Sequence, residues 1–201
     1  MVEELFDLGE EAEQQQQQRE EQEALRLHRL NETLQSTSNL RNIMDEEAER
    51  ECENAQHFTC TLCALLPSLL AIRSTIEVDQ AILEFSSKYC EGVFTATTQE
   101  DTHQVIINAD GIYLATYSVL SLNLQLIRGG NYCDPSLPAP MNQEQFVDLV
   151  HGSGVLVYLS SAWLGEVYRQ VTKDSFLQRA GYTPHSPHNC ALINLLTGNK
   201  A

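Results

Sequence analysis

An all-α fold follows from three observations on the 201 residues. Apolar residues recur at three- and four-residue spacing in segment after segment, no stretch of useful length alternates apolar with polar, and glycine and proline clusters close the periodic segments.

The first 38 residues are a biased head: acids, a run from Gln14 to Gln18, then the stretch EALRLHRL. Its Glu, Gln, Ala, Leu and Arg are good helix formers, but Leu25, Leu27, Leu30 and Leu34 supply only a thin apolar stripe. The head therefore reads as a solvated helix or as a disordered acidic linker, and its charge as a solvating tail or a plug over a basic partner site. Ser36-Thr37-Ser38-Asn39 reads as a break and N-cap cluster, so the domain proper is expected over 39–201.

Within the domain, Ser74-x-x-Glu77 has the form of a capping box, and Val78, Ala81, Ile82, Phe85 and Tyr89 form an amphipathic stripe behind it. The next helix is expected from Asp110 to Ile127, with Ile112, Thr116, Val119, Asn123 and Leu126 on one face. Gly129, Gly130 and a loop holding Pro135, Pro138 and Pro140 end it. Asn142 can cap a short helix carrying Phe146, Leu149 and Val150, and Leu159, Trp163, Val167 and Val171 mark a further helix. Thr183 to His188 is a loop. The pair Ile106–Ile107 is the one strand-like spot and is too short to build a sheet.

Charge narrows the partners. The net charge is −16, with 16 acidic against 5 basic residues in 1–57 and 12 against 7 in 58–201. That balance opposes nucleic acid, whose phosphates need Lys and Arg, and opposes direct docking on an anionic leaflet. Protein partners are expected. The start has neither a basic n-region nor an apolar h-region. The longest apolar stretch, Ala64 to Ile72, contains Pro67 and Ser68 and falls far short of the roughly 20 residues of a span. The six cysteines are accordingly expected to be reduced thiols of a cytosolic protein, and the sequon Asn31-Glu32-Thr33 to be unused.

Catalytic and metal signals are thin. Cys60-x-x-Cys63, with His185, His188 and Cys190 as imaginable partners, lacks the second matched pair that a zinc site wants; core packing is the simpler reading, and no metal is expected. Gly129-Gly130 has no following Lys-Ser/Thr, so the chain is not itself a GTPase, and no cofactor is expected. No Ser/His/Asp or Cys/His arrangement emerges from the spacing.

Four ordered segments carry a family resemblance. Asp79 to Cys90 reads DQAILEFSSKYC, a helix ending in a Tyr-Cys pair. Tyr113 to Ile127 reads YLATYSVLSLNLQLI, keeping Tyr113, Ser118, Leu122, Asn123 and Leu126 of a longer motif. A proline-bearing loop leads to MNQEQFVDLVHGSG, and LGEVYRQVTKDSF runs from Leu164 to Phe176. In this order and spacing they resemble the Arf guanine-nucleotide exchange (Sec-seven) domain family over Asp79–Phe176, with Asn39–Ile72 divergent. Within the family the divergent branch of the brefeldin A-inhibited exchange proteins is most similar, which implies one domain of a very large cytoplasmic protein of the secretory pathway.

The resemblance implies a right-handed superhelix of about ten helices with a groove for the switch regions of an Arf-type GTPase. Tyr113, Tyr117, Leu120, Asn123, Leu124, Gln125, Ile127 and Phe146 would line that groove, Asn123 alternatively serving as a structural polar contact. Active members bring a glutamate from the loop before the DQAILEF-like helix to the magnesium ion and β-phosphate, where its charge lowers nucleotide affinity. The matching position here is Ser74, neutral and short; the nearest acid is Glu77, and both are also read as a plain helix cap. The family's Thr-Asp-Leu-His becomes Leu124, Gln125, Leu126 and Ile127.

Three functions remain open at this point. The first is a degenerate exchange-type domain, not an enzyme, that binds or regulates Arf-type GTPases in vesicle or secretory-granule traffic. The second is an active exchange factor using another acid, and the third a protein-interaction scaffold with no GTPase partner. Other trafficking proteins would be partners. The location would be cytoplasmic, peripheral on Golgi, vesicle or granule membranes through the parent protein.

Overall fold

A computed structural model describes residues 3–96, 107–153, 157–184 and 190–198, with side chains from Arg19 onward apart from 20 and 94–96. The described residues form seven helices and no strand: α1 (Glu3–Ala71), α2 (Thr75–Ala96), α3 (Ala109–Gly129), α4 (Gln143–His151), α5 (Ser161–Lys173), α6 (Phe176–Arg179) and α7 (Ala191–Thr197). The all-α expectation holds. Of the strand-like pair, Ile107 is buried in a non-helical stretch, and Ile106 lies outside the described residues.

The chain divides into two compact units, Met1–Glu49 and Arg50–Ala201. In the first, the break expected at Ser36–Asn39 is absent, and α1 runs straight through. Neither glycine nor proline occurs between Glu10 and Leu66 to stop it. The hydroxyls that suggested a cap donate instead to carbonyls one turn back, Ser36 Oγ to Glu32 O at 2.9 Å and Thr37 Oγ1 to Thr33 O at 2.6 Å. Residues 21–50 are exposed throughout. Leu27 and Leu34 keep about two thirds of their surface in water, at 63% and 65%.

In the second unit the rest of α1 turns a regular face inward: Ala55, Phe58, Leu62, Leu66 and Leu69 are all fully buried. Phe58 anchors an aromatic group, 4.9 Å from Trp163, 5.6 Å from Tyr89 and 6.1 Å from Phe85 between ring centres. Such pairs add about 0.5–1.5 kcal/mol each to plain burial. The α2 stripe is confirmed: Val78, Ile82, Phe85 and Tyr89 are buried and Ala81 is half-buried. A polar strip also joins α1 to α5. Thr59 Oγ1 donates to Gln170 Oε1, Gln170 Nε2 donates to Glu166 Oε1 at 2.9 Å, and Arg169 pairs with Glu166 at 2.7 Å.

The centre of this unit is α3, which packs against α2, α4, α5, α6 and α7. Its N-cap is Asn108, whose Oδ1 accepts from Gly111 N at 2.9 Å. A Cβ on residue 111 would lie 2.5 Å from that oxygen, so a larger residue there would push the cap side chain aside. At the other end Gly130 takes the left-handed conformation, φ 76°, and its N–H and that of Asn131 bond back to Ile127 O and Leu126 O.

For α4, Asn142 builds a complete capping box with Gln145. Phe146 and Val150 are buried as expected, but Leu149 is 53% exposed, because it lies on the flank of the face that Phe146, Val147 and Val150 turn inward. Helix α5 starts at Ser161, capped by Ser160, so Leu159 is buried ahead of the helix rather than within it. Thr183 and Pro184 are non-helical as expected, and the rest of that loop to His188 lies outside the described residues.

Two expected outcomes follow. Phe58→Ala should lower the unfolding free energy by about 3–5 kcal/mol, as for other buried aromatic truncations, and should red-shift Trp163 fluorescence; an unchanged denaturant midpoint would contradict the packing. Deleting residues 1–35 should cost less than about 1 kcal/mol, because the segment has few apolar residues and its described side chains, 19 and 21–35, are exposed. Chemical denaturation of both chains measures this.

Candidate functional site

A three-residue loop, 72–74, separates α1 from α2. It places Ser74 directly at the N-terminus of α2, where its carbonyl accepts from Val78 N at 3.0 Å. Ser74 is half-buried, while Glu77, in the first turn of α2, is exposed. Ile76 between them is 79% exposed, an unusual position for a large aliphatic side chain.

The start of α2 is tied to the start of α3. Tyr113 Oη donates to Asp79 Oδ1 at 2.6 Å, and burial, then the Asp79 carboxylate, pushes the Tyr113 phenol up to about 12. Tyr117, one turn on, donates to Leu195 O of α7 at 3.2 Å. Both rings are half-buried, and Gln125 is exposed. These three, with the 72–74 loop and Ile76, have surface that a partner can reach.

The other residues proposed for the groove lie inside. Leu120, Asn123 and Phe146 are fully buried, Leu124 is 3% exposed and Ile127 9%. Phe146 packs its ring 5.7 Å from that of Tyr168. Asn123 is a structural node: its Nδ2 donates to Tyr132 Oη at 2.5 Å, and its Oδ1 accepts from Leu177 N at 2.9 Å. Tyr132 Oη in turn donates to Val171 O, and burial pushes the Tyr132 phenol above its ordinary range. Helix α6 has no side-chain cap from its own Ser175, so the Asn123 amide serves its first turn from 54 residues away.

What the sequence reading overlooked is the partly exposed stripe of α3. Leu114, Ser118 and Ser121 are half-buried beside Tyr117 and Gln125. Polar residues at 118, 121 and 125 within an otherwise apolar helix were the available signal.

Elsewhere, Cys60 is exposed and Cys63 half-buried on α1. Burial pushes the Cys63 thiol up to about 11, with nearby Arg179 pulling the other way. No cluster of three or more metal-ligating side chains occurs among the described residues; His185 and His188 lie outside them. No helix among the described residues is long and apolar enough to cross a membrane.

The sequence profile of the Sec7 domain family matches residues 16–176, and the chain belongs to that family. The match reaches well ahead of Asp79 and takes in the stretch 39–72. Among curated proteins, brefeldin A-inhibited guanine nucleotide-exchange protein 3 of Mus musculus is 36% identical over 163 residues, and that of Homo sapiens 34% identical over 163 residues. Each alignment covers 79% of this chain and 7% of the relative, so the chain spans a small fraction of those proteins' length. No solved structure matches significantly.

Replacing Asn123 with Leu should destabilise the domain by about 2–4 kcal/mol. The abandoned Leu177 N–H carries a desolvation cost of about 1–3 kcal/mol, and Tyr132 Oη loses an incoming bond worth about 1 kcal/mol while still donating to Val171 O. Thermal and denaturant unfolding of the variant measure the loss.

Proposed function

We propose that this Sec7 domain binds an Arf-type GTPase without promoting nucleotide release. What supports the reading is the sequence resemblance, which sets Ser74, in the loop ahead of α2, against the position where active family members bring a carboxylate. A hydroxyl adds no negative charge beside magnesium and phosphate, and its short side chain is half-buried. Tyr113, Tyr117, Gln125 and the exposed Ile76 offer a protein partner mixed apolar and polar surface on α2 and α3. The domain would act as one module of a much longer cytoplasmic protein. That protein would sit peripherally on Golgi, vesicle or granule membranes with other trafficking proteins and regulate Arf signalling.

A second reading rests on Glu77. Its carboxylate is exposed in the first turn of α2. It would serve as the finger in an active exchange factor. A scaffold with no GTPase partner is the third reading.

Fluorescent-GDP release from Arf-type GTPases discriminates among them. The chain should bind nucleotide-free GTPase yet accelerate release by less than about twofold, since each tenfold in rate needs about 1.36 kcal/mol of differential stabilisation. Ser74→Glu alone should restore exchange only in part. Misplacement of a reacting group by about 1 Å can cost about 100-fold, and Gln125 alters the docking surface. Because Leu124 and Ile127 are buried, the repair to compare is Ser74→Glu with Gln125→Asp, which should exceed the single change. Robust exchange by the unaltered chain that Glu77→Ala abolishes would install the second reading, and absence of binding the third.

A further inference from the structure

Six prolines occur in the chain, following Leu66, Asp134, Leu137, Ala139, Thr183 and Ser186. Only the last two follow a hydroxyl, and they stand three residues apart in one connection between α6 and α7. Of these two pairs the structure describes Thr183 and Pro184, both exposed and outside any helix; Ser186 and Pro187 lie outside the described residues.

The connection is held at both ends. After α6 the chain turns through Gly181, with Gly181 N bonded to Gln178 O at 3.0 Å and Tyr182 N to Leu177 O at 2.9 Å. Tyr182 packs half-buried against the core. On the far side Ala191 and Leu192 of α7 are buried. Thr183 is therefore the first residue beyond an anchored turn, and it and Pro184 are exposed.

Most other hydroxyls are held in regular helix. Thr33, Thr61, Ser86, Thr116, Thr172 and Thr197 all donate to a carbonyl one turn back. A helical segment cannot enter the extended cleft in which a protein kinase reads its substrate. Proline after the acceptor adds selectivity: it carries no N–H and holds φ near −65°. It therefore suits kinases whose pocket beyond the acceptor makes no hydrogen bond to that amide, and it obstructs kinases that need the bond.

We propose that Thr183 is a phosphoacceptor for a proline-directed protein kinase. In the transfer, Thr183 Oγ1 bonds to the γ-phosphorus of magnesium-bound ATP while the bond to the β,γ-bridging oxygen breaks. ADP leaves, and the hydroxyl proton passes to the kinase's catalytic carboxylate. The product adds about −1.5 to −2 charge at neutral pH to a chain already at −16. The inference stands apart from the GTPase reading, since it uses neither Ser74 nor the α3 surface.

The test treats the purified chain with a mitogen-activated-type, proline-directed kinase and Mg-ATP and maps phosphate by peptide mass spectrometry. Labelling of Thr183 in the native chain is expected. Pro184→Ala should slow it by at least about tenfold, a barrier of about 1.4 kcal/mol, and Thr183→Ala should remove it while circular dichroism stays unchanged. Labelling of Thr183 only after heat denaturation would overturn the proposal. Equal labelling of the Pro184→Ala chain, or phosphate confined to Ser186, would do the same.

Discussion

A primary amide sealed away from water must place two donors and an acceptor, and Asn123 sets how the second unit closes around it. The residue sits in the middle of α3 with no exposed surface. Through Tyr132 it reaches the last turn of α5, and through Leu177 N it caps α6. The three elements are apolar where they meet, so packing alone would leave their rotation loosely specified. The hydrogen bonds fix one arrangement. Misalignment of α6 would strand a buried N–H, an outcome more costly than the loss of a few van der Waals contacts.

The same rigidity shapes what a partner can meet. With α3 buried on most of its circumference, its middle reaches the surface through the stripe from Leu114 to Gln125 and the edge shared with α2. The Tyr113–Asp79 bond holds that edge together at the point where α2 begins. The loop before α2 is thus presented by two pinned helices. What it presents is a neutral side chain at Ser74 and an acid one turn later, and the chemistry proposed for the domain turns on that difference of position.

Local signals in the sequence were enough for α2, α3 and α4. The period of Val78, Ile82, Phe85 and Tyr89, and the Asn142–Gln145 box, depend only on residues within a few turns of each other. The misread places needed information from further away or from what was missing. The Ser36–Asn39 cluster looks like a cap, yet a stretch without glycine or proline on either side favours continuation, and the hydroxyls settle onto the preceding turn. Leu149 fits the apolar pattern of α4 by identity but not by angle. Asn123 matched a family motif while its partners stood nine and 54 residues away, a pairing that no window of sequence displays. Burial of Leu120, Leu124 and Phe146 likewise depends on the helices packed around α3, so the list of groove residues could not be narrowed from the motif alone.

Gly111 shows how one small position can lean on its neighbour. Glycine inside a helix forfeits about 1 kcal/mol relative to alanine, yet an added methyl group here would meet the amide oxygen of Asn108 at 2.5 Å and Val157 at 3.4 Å. An alanine at 111 would gain helix propensity only as far as the Asn108 side chain turned aside, and that gain would be set against a weakened cap. The start of α3 is a compromise between a bare backbone and a well-seated amide.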